Sequence, residues 1–129
     1  MRLEGKVALI SGGARGQGAA EARLFVKEGA QVVIGDILDV EGKKLEAEIS
    51  ETGGDCFYVH LDVTSEEDWR KAIDRTVTQC GKLDILVNNA GIFVPAGLEE
   101  TDEDLWDRTM DINAKGVFLG TKFAIPEMR

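Results

Sequence analysis

Ser11-Gly12-Gly13-Ala14-Arg15-Gly16-Gln17-Gly18 is the stretch of this chain best suited to holding a charged ligand. It follows the apolar run Val7-Ala8-Leu9-Ile10, which reads as a buried strand. It precedes Ala19 to Lys27, a run of good helix formers that stops at Gly29. Glycines in a strand-to-helix turn let backbone N–H groups and the positive end of a helix dipole converge on one spot. That chemistry suits a phosphate. A Cβ there would block the tight turn or the ligand's approach. Asp36 stands 18 residues beyond Gly18, at the end of the next strand-like run. An acid at that offset accepts hydrogen bonds from ribose hydroxyls, which completes a dinucleotide fingerprint. The bland alternative is a tight turn with no ligand.

The same carboxylate would repel a 2′-phosphate, and Ile37 follows it where a basic residue would favour one. NAD is therefore expected over NADP. Arg15 points the other way, since it could meet a phosphate, although a solvated cation explains it as well. Asp62-Val63 and Asn88-Asn89-Ala90-Gly91 end two later strand-like runs. Ligands of open α/β sheets bind along that carboxyl edge. Asp62 could accept an adenine amino group, or it could serve only as a loop or capping acid. The amides and glycine of the second motif could bridge backbone gaps and let a ribose approach, or form a plain turn.

The elements needed to position these residues are legible in order. Strands are expected at Gln31–Asp36, Cys56–Asp62 and Asp84–Asn88. A helix is expected from Asp39 to Ser50, and another after the capping box Ser65-Glu66-Glu67-Asp68. Trp69, Ala72, Ile73, Thr76, Val77 and Cys80 form its apolar face, and Gly81 stops it. Asp102 is an expected N-cap of one long helix to Met128, which Pro126 ends or bends. Strands alternating with helices give a doubly wound parallel sheet with right-handed crossovers. The expectation is one α/β domain over residues 1–129. A fifth strand would ordinarily follow the long helix, so the chain reads as stopping after the fourth strand and its helix.

The chain has 129 residues, 43% of them hydrophobic, and a formal net charge of −9. That charge argues against a nucleic-acid or anionic-membrane binder. No apolar stretch approaches a bilayer span, and the N-terminus lacks a signal-peptide core. Cys56 and Cys80 are the only cysteines, without a CxxC spacing, and His60 is the sole histidine. They suggest reduced thiols in a cytoplasmic protein without a metal site.

Taken together these motifs resemble the short-chain dehydrogenase/reductase family, across the whole chain. Ser11-Gly12-x-x-x-Gly16-x-Gly18 is similar to its TGxxxGxG turn, with Ser for Thr. Asn88-Asn89-Ala90-Gly91 is similar to its NNAG motif, and Asp62-Val63 to its adenine-contacting pair. Asp111-Ile112-Asn113-Ala114-Lys115-Gly116 resembles the segment that carries the catalytic asparagine, which points to Asn113. Gly35-Asp36-Ile37-Leu38-Asp39 and Tyr58 to Thr64 look most like the bacterial hydroxysteroid dehydrogenases.

The resemblance implies a Rossmann-like fold and hydride transfer between NAD and a secondary alcohol or ketone. It implies cofactor contacts at Ser11, Gly12, Arg15, Gly16, Gln17, Gly18, Asp36, Ile37, Asp62, Val63, Asn89, Ala90 and Gly91. The family's catalytic serine and Tyr-x-x-x-Lys have no counterpart here. Tyr58 is the only tyrosine, and Asp62 stands four residues after it. The chain is thus expected to be the cofactor half of a longer enzyme, inactive alone. A non-catalytic nucleotide-binding module and an assembly subunit are the alternatives. Its long apolar helix and open sheet edge suggest a homo-oligomer.

Overall fold

The computed structural model describes all 129 residues. Four strands, β1 (Val7–Ser11), β2 (Gln31–Asp36), β3 (Cys56–His60) and β4 (Ile85–Val87), form one sheet in the order β3-β2-β1-β4. Every pairing is parallel, with Val7 opposite Gln31, Val32 opposite Cys56 and Ala8 opposite Ile85. Helices α1 (Gly16–Lys27), α2 (Asp39–Glu51) and α3 (Glu66–Cys80) connect them.

The apolar runs lack alternation because both faces of the sheet are covered. Side chains along each strand still alternate. Leu9, Val33 and Val59 point to one face, with Trp69, Ile73, Leu83 and Leu119. Ile10, Ile34 and Tyr58 point to the other, with Ala19, Ala22, Leu45 and Ile49. Leu9, Ile10, Val33 and Ile34 are wholly buried. Each such side chain contributes about 1.5–3 kcal/mol by leaving water.

Ser65 caps α3, its hydroxyl accepting from the Asp68 N–H at 3.1 Å, and Gly81 closes it in the left-handed region. Asp102 caps the next helix by accepting from Leu105 N–H at 2.8 Å. That helix differs from the sequence expectation. It comprises α4 (Glu103–Met110), a π-helical turn (Asp111–Lys115) and α5 (Gly116–Met128). The expected helix is continuous, but it takes in one extra residue around Asn113, and Pro126 lies inside its last turn without ending it. β3 also stops at His60, so Leu61 and Asp62 belong to the loop after it.

β4 pairs only with β1 and leaves its other side open. Phe93, Leu98, Trp106 and Phe118, spread in sequence from the loop after β4 to α5, are exposed. No helix is long and apolar enough to cross a membrane.

Candidate functional site

The carboxyl ends of the strands open into a cleft of about 460 Å³. The turn after β1 supplies Gly12, Arg15, Gly16 and Gln17. The end of β2 supplies Asp36, Ile37 and Leu38, and the loop after β3 supplies Leu61, Asp62 and Val63. Asn89, Ala90, Gly91 and Ile92 come from the end of β4, and Arg108 and Ile112 from the helix beyond. Eleven of the thirteen expected cofactor contacts lie in this lining. Ser11 and Gly18 do not, and each works behind it.

Ser11 is 2% exposed. Its hydroxyl accepts from the backbone N–H of Asn89 and of Ala90, each at 3.1 Å, and donates to Val87 O at 3.4 Å. It therefore ties the end of β1 to the end of β4. The Asn89 amide donates to Gly12 O at 3.1 Å and draws the same two segments together. Gly12 adopts a φ of +65°, and a Cβ there would sit 2.9 Å from the Ala90 Cα. Only glycine permits both the turn and that approach. Gly18 faces Gly12 O and the Asn89 amide so closely that a Cβ would collide with both.

α1 starts at Gly16, three residues earlier than its run of helix formers. Arg15 is its N-cap and offers no side-chain cap. The first-turn N–H groups of a helix have no turn beneath them to bond. Here those of Gly16, Gln17 and Gly18 face the cleft end of α1 with no acid in that turn. This end of the site is electropositive and suits a pyrophosphate.

Asp36 is 9% exposed and its carboxylate is already held. One oxygen accepts from Ala14 N–H at 3.1 Å. The other accepts from Ile37 N–H at 2.8 Å and Leu38 N–H at 3.2 Å. These bonds fix the acid between the glycine turn and the start of α2. Asp62 accepts from the Thr64 N–H at 2.9 Å and hydroxyl at 2.7 Å through one oxygen. Its own N–H donates to Asp68 at 2.9 Å. It is a loop acid in an Asx turn, and it also lines the cleft. Val63 is held in place because its carbonyl accepts from the Trp69 indole at 2.9 Å.

Asn113 lies outside the main cleft and lines a smaller pocket with Ile92, Phe93 and Trp106. Its amide donates to Ile92 O and accepts from Ile92 N–H, both at 2.8 Å. It fastens the π turn to the loop after β4. π turns of this kind concentrate at functional sites. Sequence reasoning did not single out Leu38, Leu61, Ile92, Arg108 or Ile112 as lining residues. Arg108 and Ile112 stand four apart, which puts them on one helix face, and that spacing was the available signal.

Burial first, then Glu46 and Asp55, pushes the Cys56 thiol pKa up to about 12, and burial raises that of Cys80 as well. No three His, Cys, Asp or Glu side chains converge as a metal site.

A family model described as short chain dehydrogenase matches residues 6–129. Over 128 residues the chain is 50% identical to a 3-alpha-(or 20-beta)-hydroxysteroid dehydrogenase of Mycobacterium tuberculosis, covering 99% of this chain and 48% of that protein. It is 47% identical over 134 residues to trans-4-hydroxycyclohexanecarboxylate dehydrogenase of Sinomonas cyclohexanicum, covering 99% and 52%. The solved structure of a Serratia marcescens short-chain dehydrogenase/reductase mutant superposes with a TM-score of 0.93 at 32% identity. That match covers all of this chain and 53% of the other. The chain thus spans about half the length of the relatives it matches.

Proposed function

As a chain that belongs to the short-chain dehydrogenase family, this protein carries, we propose, the nicotinamide-cofactor half of an oxidoreductase acting on ring-borne secondary alcohols or their ketones. The observation that carries the reading is convergence on one cleft. The helix end at Gly16 and Gln17, the fixed Asp36 carboxylate, Asp62-Val63 and Asn89-Ala90-Gly91 all line it. The spacing of these groups suits a dinucleotide laid from Asp36, at the adenosine end, past the turn of Gly12 to Gly16. When bound, the nicotinamide supplies the hydride acceptor or donor.

The chain's own residues bind and orient. Backbone N–H groups at the α1 terminus take the pyrophosphate. Asp36 takes the ribose hydroxyls and opposes a 2′-phosphate, so NAD is the cofactor proposed. Ile37, Leu61, Val63 and Ile112 offer apolar walls for an adenine, with Asp62 at its amino edge. Asn113 positions the loop beyond β4 rather than reaching the cleft itself. The ring-alcohol substrate class rests on the names of the relatives, which include a cyclopentanol dehydrogenase of Comamonas testosteroni.

Calorimetric titration with NAD and NADP tests this directly. Asp36→Ala should weaken NAD binding roughly tenfold or more, the worth of hydrogen bonds to a charged group. It should narrow the gap to NADP. Tighter binding of NADP than NAD by the unmutated chain would sink the assignment of Asp36.

The 129-residue chain alone should give no turnover. Proton transfer to the substrate oxygen needs a group of tuned pKa within reach. Tyr58, the sole tyrosine, is buried behind the sheet edge and bonded to Asp39. The check is NADH absorbance with cyclic secondary alcohols, hydroxysteroids included. Turnover by pure chain of verified mass would refute it.

A further inference from the structure

Beside the Asp36 end of the cleft lies a connected group of side chains that the proposed cofactor chemistry does not use. The buried Tyr58 hydroxyl, from β3, reaches both the backbone carbonyl of Asp36 and the carboxylate of Asp39, the first residue of α2. The Tyr58 ring packs on Gly42, where a Cβ would collide with it, so the ring has no room to swing. The same Asp39 oxygen meets His60 Nδ1 at 2.8 Å, and His60 Nε2 lies 3.8 Å from Asp68 of α3. Asp36, Ile37 and Leu38 line the cleft on the other side of this group.

We infer that His60, acting through Asp39 and Tyr58, is a positioning residue for the Asp36–Leu38 segment, and that its proton tunes how firmly the cleft holds the adenosine end of a dinucleotide. This rests on the cofactor reading for its ligand, but not for the coupling itself. The carbonyl of Asp36 and the N–H groups of Ile37 and Leu38 bracket the segment. Tyr58 has one proton to divide between Asp39 and the Asp36 carbonyl, which also accepts from Leu61 N–H at 2.9 Å, so a change at Asp39 alters the share that the carbonyl receives.

The charges around His60 are nearly all of one sign. Asp39 faces it from α2, Asp68 from α3 and Asp62 from the loop between. Lys43 on α2 offsets Asp39, while Asp36 and Glu41 face Tyr58. The hydrogen bond that His60 donates to the Asp39 carboxylate raises the His60 pKa from its ordinary value, and the bonds from Tyr58 and His60 lower that of Asp39. A group raised in the fold contributes its stabilisation in full below its unfolded value. That contribution is lost as pH rises through the folded value. So the cation that quiets this acidic corner persists to higher pH than on a free imidazole and leaves as pH rises through the folded value. Repulsion among Asp36, Asp39, Asp62 and Asp68 then loosens the segment.

His60 is the only histidine in the chain, so its imidazole resonances titrate without overlap. NMR of the ligand-free chain should show a midpoint above 6.5, with the Ile37 and Leu38 amides shifting at the same midpoint. His60→Gln keeps the fold, since His60 is half exposed, and should abolish that shared step. Asp39→Asn should move the His60 midpoint down. NAD affinity should fall by roughly fivefold as pH rises through the midpoint, the lower end of site-to-site coupling, and His60→Gln should flatten that profile.

Ile37 and Leu38 amides that ignore the His60 titration would overturn the inference, as would a pH profile of NAD binding that His60→Gln leaves unchanged. Absence of NAD binding at every pH would overturn the cofactor reading, while the amide titration would still decide the coupling.

Discussion

Gly18→Ala is expected to abolish measurable dinucleotide binding and to destabilise the fold. A Cβ at this position would enter the space of Gly12 O and the Asn89 amide, whose hydrogen bond joins the glycine turn to the end of β4. The methyl group cannot escape, because the obstacles are backbone and a side chain already bonded. α1 must retreat from the turn instead, and its N–H groups leave the phosphate position with it. Overpacking of this kind costs about 1–3 kcal/mol. The loss of helix-end alignment adds a separate loss of affinity. Gly16→Ala is the contrast. Its Cβ would meet nothing within 4 Å, and only the φ of +58° opposes it, at about 1–2 kcal/mol. Urea unfolding and NAD titration of both variants give the comparison. Equal binding by Gly18→Ala and the unmutated chain would show that α1 tolerates the shift.

Trp69→Ala is expected to be the most destabilising single substitution in the chain, at about 3–5 kcal/mol. Trp69 is wholly buried, and its ring abuts Gly120 of α5. Truncation opens a large void between α3 and α5. It also removes the donor to Val63 O, and so frees one wall of the cleft. Trp69→Phe restores most of the volume without the donor. It should cost about 1–3 kcal/mol, the penalty of an orphaned buried acceptor. Denaturation midpoints measure both. A loss under 1 kcal/mol for the alanine variant would mean that α5 collapses onto α3 and heals the gap.

The fold was legible because its signals are local. Val7 to Ile10 and Val32 to Ile34 are short apolar runs that only a strand buried on both faces explains. Ser65 and Asp102 announce their helices by side chains that cap their own chain neighbours. The site was legible to the extent that it follows strand ends, which is why Asp36, Asp62 and Asn89 lie together.

What was hidden depends on where side chains meet across elements. Ser11 reads as part of a ligand turn, yet its hydroxyl is spent on β4, a segment about eighty residues away in sequence. The π turn at Asp111–Lys115 has no compositional mark, because helix formers surround it on both sides and the extra residue is absorbed by packing against the Ile92 loop. His60 reads as an isolated strand residue, because Asp39 and Asp68 reach it only once α2 and α3 fold back over β3.

The Ser11 hydroxyl has a thermodynamic meaning of its own. By bonding Val87, Asn89 and Ala90 together it freezes the floor of the cleft during folding. A ligand arriving there finds that segment already in its final shape, so the entropy of ordering it does not oppose association. The Asp36 end of the cleft is fixed by the bonds to its carboxylate in the same way. The loop from Ile92 to Thr101 is hydrogen-bonded to the rest of the fold at Ile92, its other bonds, from Thr101 to Gly97 O and Leu98 O, stay within the loop, and Phe93 and Leu98 face solvent. Ordering is therefore already complete where the strand ends line the cleft and still outstanding on the loop side. Binding to the floor should be fast and shape-selective, and any slower adjustment is confined to the segment beyond Gly91.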